Sequence, residues 1–556
     1  MKENQKSLPR RQAGKIKNQN LLLVSILFLA AILRLYQLGN NPPALDWDEA
    51  SLGYNAYSIL KTGKDEFGRS WPISIRSFED YKPAMYTYLT IPTIYIFGLN
   101  EFAVRLPSAF LGTLTVFAAY LLVGELLKKS RWEKQCEILA LLTSALLAIS
   151  PWHLQFSRVA FESNVSLFFV IFGMWAYLKG LKTGGWLSIA ALLLGLSFYS
   201  YHSPRLVVPL ILLGWSWLYR RQLLVQKRWV AVSAIIGFFI IVPFLLETFG
   251  AGGARLSSVT VLKPEGRVET EIERIEYDRA HGDLFGALLH NRRVVYAKAV
   301  IKGYLDHFNL DFLFLQGDAP GRHHAQDVGM LYIWEAPFIL LGLLFALKTR
   351  ELQPLLWWFL VAPAASAITT GTPHAVRALL YLPTYQLFTA IGISQIVSLA
   401  RKHLSQQLFR GLVLVLGFII LGNFFYYLEM YYVHTPVEVS QDWQYGYKQA
   451  VPIIKQYESQ VSRVVMTYAY DQPHVFLLFY LPVDPAWYQR QWSGGEVLRE
   501  QRGFAKYEFR RIKWAEDQYK TDTLFIGTPE EIPDTAGEVA HVSFLDGSIA
   551  LRIVKR

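Results

Sequence analysis

One cysteine, Cys136, occurs in 556 residues, so neither an intrachain disulfide framework nor a multi-cysteine zinc or iron–sulfur site can form. Charge is scarce as well. Asp, Glu, Lys and Arg make up 18% of the chain against 52% from the apolar set, which excludes a disordered or highly solvated protein. The chain has no P-loop and no Gly-x-Gly-x-x-Gly turn, so the common cradles for a nucleotide phosphate are missing. Internal repeats and low-complexity tracts are absent too. What is abundant is long apolar blocks. Mean hydropathy is +0.22, and a water-soluble chain of about four domains would not need runs of that length.

A spanning helix needs about 20 mostly apolar residues to cross about 30 Å of hydrocarbon. Eleven segments meet or approach this requirement: residues 20–39, 105–127, 137–150, 162–179, 186–201, 204–219, 229–247, 329–347, 353–370, 378–399 and 410–432. The third is short, and the fifth and sixth are divided only at Tyr201-His202-Ser203-Pro204. A further apolar stretch, Met85 to Gly98, is amphipathic enough to lie along the membrane surface. The expected fold class is a polytopic α-helical membrane protein. A basic tail (1–19) leads into a spanning region (20–432), followed by a C-terminal domain (433–556). That domain mixes β-type runs, Val464 to Tyr468 and Thr523 to Gly527, with helical stretches, which predicts a small α/β unit.

Lys and Arg number 55 against 44 Asp and Glu, a net +11 that in a soluble protein would suggest nucleic acid. The placement of these charges argues otherwise, because basic residues in short loops mark the cytoplasmic side. The N-terminal tail carries Lys2, Lys6, Arg10, Arg11, Lys15 and Lys17. After it every second connection is basic: Lys128, Lys129, Arg131 and Lys134; Lys179 and Lys182; Arg220 to Arg228; Lys348 and Arg350; Arg401 to Arg410. The excess charge is topological, and no nucleic-acid partner is expected. No small-residue cleavage site follows the first block, which is therefore read as a retained span. The chain is expected in the plasma membrane with its N-terminus inside. Residues 40–104, 248–328 and the C-terminal domain then lie outside.

Ionisable residues at a membrane boundary are costly, and here they gather on the outer side. The first loop opens with Asp46-Trp47-Asp48-Glu49, ahead of an amphipathic helix from Ala50 to Leu60. Asp46 and Glu49 fit an Asp-type capping box, which leaves Asp48 explained only as a first-turn acid. Glu79-Asp80-Tyr81-Lys82-Pro83 follows. A lysine before a helix does not help that helix, but with the free N–H groups it would hold a phosphate; snorkelling to headgroups is the alternative. Glu101 with Arg105, and Arg158 with Glu162, stand four apart and could pair. An unpaired carboxylate at the position of Glu162 would be functional. His202 and Arg205 flank the next outer turn, and His374 to Arg377 mark the last, where each arginine is either a lipid anchor or part of a cationic rim facing the acids. Asp318, His323, His324 and Asp327 share one loop and could serve a divalent metal, although adjacent histidines lack a defined ligand spacing.

Taken in order, Asp48-Glu49, Lys82-Pro83, Phe102-Ala103-Val104-Arg105-Leu106-Pro107-Ser108 and Ser150-Pro151-Trp152-His153 with Ser157-Arg158 resemble the GT-C glycosyltransferases. Within them the sequence looks like the branch of protein O-mannosyltransferases and the aminoarabinose transferases that modify lipid A. The likeness is strongest over residues 20–220 and reappears at Gly317-Asp318, Arg322-His323 and His374 to Pro383; it does not reach the C-terminal tail. The resemblance implies a GT-C fold and an inverting enzyme with a polyprenyl-phosphate sugar donor, hexosyl or pentosyl. The acceptor would be a hydroxyl on glycan, lipid or protein. By the same resemblance Asp48 falls at the reacting centre with Glu49 beside it, Lys82 contacts the carrier phosphate, Glu162 matches an acid of the second outer loop, and Arg377 matches a late arginine near the phosphate. Arg205 is a third cation for that phosphate, while Asp46, Arg105, Arg158 and His202 would shape the site or hold the acceptor. Tyr81 replaces a glutamate of the aminoarabinose transferases, so their metal site is not expected to carry over. The one cofactor left to consider is a divalent metal at Asp318, His323 and His324.

The chemistry agrees with the residues. A lipid phosphate is already a good leaving group, so the enzyme needs a base for the acceptor hydroxyl and cations for the developing phosphate charge. A flippase or transporter of a lipid-linked sugar could use the same rim without bond cleavage. It should then show polar sites near the midplane or pseudo-symmetric halves, whereas the polar residues here concentrate at one face.

Overall fold

Each of the eleven apolar blocks falls on helix in the computed structural model, which describes residues 10–78, 80–128, 130, 132–249, 260, 267–491 and 503–556. Lys2, Lys6, Glu79, Lys129 and Arg131, together with part of the 248–328 loop, lie outside the described residues. The first half of the chain runs α1 (Arg10–Leu35), α2 (Trp47–Thr62), α3 (Met85–Phe97), α4 (Glu101–Leu127), α5 (Cys136–Ile149), α6 (Pro151–Arg158), α7 (Glu162–Thr183), α8 (Trp186–Phe198), α9 (Pro204–Leu218), the short α10 (Arg220–Val225) and α11 (Lys227–Phe249). Between α2 and α3 a two-stranded hairpin, β1 (Ser74–Ser77) and β2 (Asp80–Pro83), sets Lys82 opposite Ile75. Helices Arg267–Ala280, Leu284–Leu289 and Arg292–Asp306 occupy the second long loop. Four more, Glu335–Leu347, Gln353–Val361, Thr384–His403 and Gln406–Glu429, complete the helical region.

Local sequence sets the ends of these helices. Proline opens α6 and α9 at the first turn, where its missing N–H costs nothing. Asn100 caps α4 by accepting from the Ala103 N–H at 2.9 Å. Gly63, at φ 70, closes α2.

Among the described residues, five helices are long and apolar enough to cross a bilayer: Asn18–Leu35, Glu101–Leu127, Glu162–Thr183, Lys227–Leu246 and Gln406–Glu438. A sixth arises if α5 and α6, bent by 57°, make one broken span. α8, α9 and Glu335–Leu347 are shorter apolar helices. The eleven segments thus fall on helices of unequal length, of which these five or six meet the spanning criterion by length and composition. The 353–370 block stops as helix at Val361, just before Pro363, and resumes only as one turn at Ala364–Ala367.

Three arginines tie the helix ends together. Arg34 donates to the carbonyls of Ala30 and Ala148 and sits 2.7 Å from His153 Nδ1. Arg158 donates to the carbonyls of Leu33, Tyr36 and Asn41 and to the Tyr431 hydroxyl. Arg105 donates to the carbonyls of Leu38, Pro42 and Ala44. Helix C-termini leave carbonyls without intrahelical donors, and a five-donor guanidinium can serve several of them at once. The 36–46 segment is held in place by these contacts, and it carries the start of α2.

The C-terminal domain has a five-stranded sheet in the order β4 (Tyr507–Phe509), β3 (Arg463–Met466), β5 (Thr523–Gly527), β7 (Ile549–Lys555), β6 (Ala540–Ser543). β3 runs parallel to both β4 and β5, and β7 is antiparallel to β5 and β6. Both β-type runs foreseen in the sequence are strands in its centre. One apolar core joins the sheet to α2 and α4 through Leu45, Tyr54, Val104, Tyr447, Phe476 and Met466. The approach is close enough that a Cβ on Gly53 of α2 would lie 2.6 Å from the Phe479 ring and 2.7 Å from Val104. The domain is thus seated on the first loop.

Candidate functional site

The capping box read from the sequence forms at the start of α2. Asp46 Oδ1 accepts from the Glu49 N–H at 2.8 Å, and Glu49 Oε2 accepts from the Asp46 N–H at 3.4 Å. Glu49 also takes a two-pronged bond from Arg105, 2.9 Å for Nε to Oε1 and for Nη2 to Oε2, and accepts from the Ala160 N–H. Glu49, beside Asp48, is buried with both oxygens engaged, and its contacts tie the start of α2 to α4 and to the turn before α7. The expected Glu101–Arg105 pair does not form. Arg105 turns to Glu49, and Glu101 pairs with Lys448 and the Tyr480 hydroxyl of the C-terminal domain. Likewise Arg158 is spent on carbonyls and Tyr431 rather than on Glu162, which opens α7 in a buried position.

Asp48 is the acid left pointing outward, and it makes an ion pair with Lys82, the side chains being 29% and 9% exposed. Lys82 also lies over the Phe78 ring at 5.5 Å. The two residues singled out for reaction and for phosphate therefore meet, although 34 positions separate them in the chain.

One residue further in, Asp46 Oδ2 faces Arg322 Nε across 3.7 Å. That is too long for a hydrogen bond, and neither atom has another partner among the described residues. Burial first, and the neighbouring Asp48 second, push the Asp46 carboxyl up to about 7, against the opposing pull of Arg322. The Arg322 guanidinium stacks on Trp47 at 4.4 Å. The C-terminal domain closes this corner: Gln444 Oε1 accepts from the Trp47 N–H and Asp442 Oδ2 from the Gly321 N–H, both at 3.0 Å. Arg322, Gln444 and Asp442 were not singled out as site residues. For Arg322 the signal was there, because it belongs to the Arg322-His323 motif.

The remaining cations lie on neighbouring turns. Arg205 Nη1 is 2.6 Å from His202 Nδ1, and its guanidinium covers Phe244 at 4.1 Å. The Met85 N–H donates to the Tyr199 carbonyl, which brings that turn beside the residues after Lys82. Arg377 Nη1 donates to Thr369 Oγ1 and the Thr370 carbonyl, both at 2.8 Å.

The histidines sort differently from the sequence reading. Asp318 Oδ2 lies 2.6 Å from His323 Nδ1 and 3.8 Å from His374 Nδ1. His324 Nδ1 is directed to the Ala325 carbonyl at 2.9 Å and takes no part. Gly317 requires its residue type, at φ +80 with a would-be Cβ 2.7 Å from the His324 ring. Burial opposes the Asp318 charge, but the His323 bond, the His323 and His374 rings and the Ala375 N–H together outweigh it and hold the carboxyl below its usual range. Burial lowers His323, and burial together with Arg377 lowers His374 well below the ordinary imidazole range. A cavity of about 790 Å³ whose lining includes Glu125, Lys182, Arg220 and Arg350 beside Leu178, Leu181 and Trp217 opens instead among the basic connections, and none of the acid–cation cluster lines it.

A family model described as dolichyl-phosphate-mannose-protein mannosyltransferase matches residues 81–246. No curated protein matches the sequence. Among solved structures, ArnT from Cupriavidus metallidurans bound to undecaprenyl phosphate superposes with a TM-score of 0.54 at 12% identity, covering 96% of this chain and 97% of that one. The archaeal oligosaccharyltransferase AglB from Archaeoglobus fulgidus, in complex with an inhibitory peptide and a dolichol-phosphate, superposes with a TM-score of 0.52 at 12% identity over 84% of this chain. The chain spans 64% of the length of AglB. The fold is that of the GT-C glycosyltransferases, and the family model covers residues 81–246 of the 556. Coverage of 96% also carries the likeness to ArnT into the C-terminal domain, beyond the limit set by the sequence motifs.

Proposed function

We propose that this protein is a membrane glycosyltransferase that moves a sugar from a polyprenyl-phosphate carrier to a hydroxyl acceptor on the outer face, with inversion at the anomeric carbon. The observation that carries the reading is the pairing of Asp48 with Lys82, beside Asp46 and Arg322. Acid and cation thus meet at one helix start on a fold whose solved relatives bind dolichol-phosphate and undecaprenyl phosphate.

The acceptor oxygen attacks the anomeric carbon from the face opposite the phosphate. The carbon–oxygen bond to the phosphate breaks, its electron pair stays on the phosphate oxygen, and the hydroxyl proton passes to a carboxylate. Asp48 is that base, with Glu162 the alternative. Lys82, Arg377 and Arg205 receive the phosphate charge as it develops, and Arg322 is a fourth cation at the same corner. In the absence of donor, Asp48 neutralises Lys82. Phosphate entering beside Lys82 competes for the ammonium and releases the carboxylate toward the acceptor. Asp46 and His202 shape the acceptor's approach. The lipid tail stays in the bilayer, which accounts for a catalyst embedded among spans.

The test is turnover of a radiolabelled polyprenyl-phosphate sugar by purified protein in lipid nanodiscs, read as sugar transferred and carrier phosphate released. Uptake or flipping of intact donor without release would replace the transferase by a transporter. The plasma-membrane orientation has its own test. Cys136, which sits at the start of α5 in a basic connection, should react with permeant thiol reagents only; labelling from outside intact cells by a charged reagent would invert the topology.

A further inference from the structure

We propose that Asp318, His323 and His374 form a binding site for one divalent transition-metal ion, of the zinc or manganese class, which fastens the 318–323 loop to the 370–377 turn. One ligand atom from each residue lies within 4.8 Å of the others. Two ligands on a tetrahedral ion with bonds of about 2.0–2.1 Å stand about 3.3 Å apart. The two Asp318 separations, 2.6 Å to His323 and 3.8 Å to His374, bracket that value. Two imidazoles and a carboxylate favour a borderline transition metal over calcium or magnesium, which take mostly oxygen.

Two observations favour an ion over a bare hydrogen-bonded trio. His374 Nδ1 is buried with no hydrogen-bond partner among the described residues, an arrangement that ordinarily costs stability and that a metal bond would relieve. Supporting contacts for the ligands are also in place. Asp318 Oδ1 accepts from the Ala319 N–H and Oδ2 from the Ala375 N–H, both at 2.9 Å, and Phe156 and Phe161 pack on the His323 ring. Outer contacts of this kind orient metal ligands. The other nearby histidine is committed elsewhere: His307 bonds the Gly303 carbonyl and Ser366 Oγ and accepts from the His374 N–H.

The site has a consequence for the neighbouring cations. Arg322 precedes His323, and Arg377 stands three residues after His374. An ion shared by the two segments would fix the distance between these guanidinium groups and add positive charge between them, which suits recognition of a phosphate group. The site itself stands on the cluster and not on the transferase reading.

Metal content decides the matter independently of activity. The full chain, purified without a histidine tag and stripped with chelator, is titrated with Zn²⁺, Mn²⁺ and Co²⁺ and followed by elemental analysis, thermal unfolding and the visible spectrum of cobalt. The expected result is one ion per chain, a rise in melting temperature on reloading, and a cobalt band of low-coordinate intensity. Loss of an outer contact weakens metal binding by about 10- to 100-fold, so loss of a ligand in His374→Gln or Asp318→Asn should weaken it by at least about 100-fold. His541→Ala, an exposed histidine of the C-terminal domain, is the control and keeps the ion. If either ligand variant fails to fold, the wild-type stoichiometry and cobalt spectrum still decide. No binding by stripped wild-type protein, or equal binding by folded His374→Gln, overturns the site and leaves the transferase reading untouched.

Discussion

Arg105 and Arg158 are sealed among protein oxygens, whereas Arg322 and Arg377 sit at partly open positions. The first group is fully buried; the Arg322 side chain keeps 19% of its surface and its Nε has no hydrogen-bond partner among the described residues. Both groups are cations close to costly low-dielectric surroundings, so charge alone does not separate structural from functional residues. What separates them is saturation. A guanidinium that already donates to four oxygens, as Arg158 does, has nothing to offer a phosphate. Arg322, which faces the Asp46 carboxylate across 3.7 Å, can exchange that acid for a ligand at little cost.

The strongest way to break the comparison is at its acid. Asp48→Asn preserves size and helix-start geometry but removes proton affinity, so turnover at saturating donor should fall by about two to four decades while donor binding changes little. Glu162→Gln measured beside it decides the base. Near-normal turnover for Asp48→Asn with loss for Glu162→Gln would move the assignment, and near-normal turnover for both would end it.

Arg105→Ala is the matching test in the sealed group. It strands the buried Glu49, so unfolding in detergent should show a loss of about 3–5 kcal/mol. The double variant with Glu49→Ala should cost less than the two singles together, because the partners share one interaction. Additive losses would mean that the pair is not a unit.

Lys82→Met and Arg377→Met should behave in the opposite sense, with unfolding nearly unchanged and donor affinity down by about one to two decades, the worth of a charge-assisted contact at about 1.5–3 kcal/mol. Intact donor binding in both folded variants would reclassify them as lipid anchors.

The smallest expected effect belongs to Asp46, which shares features of both groups. Its carboxyl is raised from 3.8 to about 7 by burial, so the folded state holds a proton that the unfolded state releases. The stabilisation this gives is complete below about pH 4 and is lost as the pH rises through about 7. Asp46→Asn keeps the cap and removes the titration. Its melting temperature should therefore vary less than wild type between pH 4 and 7; identical profiles would show that Asp46 is charged throughout.

Much of this arrangement was legible along the chain. The Asp46–Glu49 box is a local pattern whose two partners lie within one helical turn, and it forms as read. The apolar blocks become helices for the same reason, since composition over about 20 residues is a local property. Spacing misled where a nearer partner was assumed. Four-residue separation puts Glu101 and Arg105 on one face of α4, but Glu49, brought in by the first loop, offers both oxygens to the fork and wins. The same logic removes Arg158 from Glu162 and sets His374 rather than His324 beside Asp318, because a distant turn can fold in where the next residue along the chain points away.

By itself, then, the sequence determined the helical membrane class, the α/β character of the tail, the cap at α2 and the resemblance carried by the Lys82, Arg105 and Arg158 motifs. Only the tertiary structure decided which charges are sealed and which remain available. It set Asp48 on Lys82, Arg322 over Trp47 and against Asp46, and Gln444 and Asp442 of the tail against the same corner. The reason is physical. A helix start or an apolar run is fixed by interactions within a few residues, whereas the partner of a buried charge is chosen by whichever group, anywhere in the chain, meets its full hydrogen-bonding capacity once water is excluded.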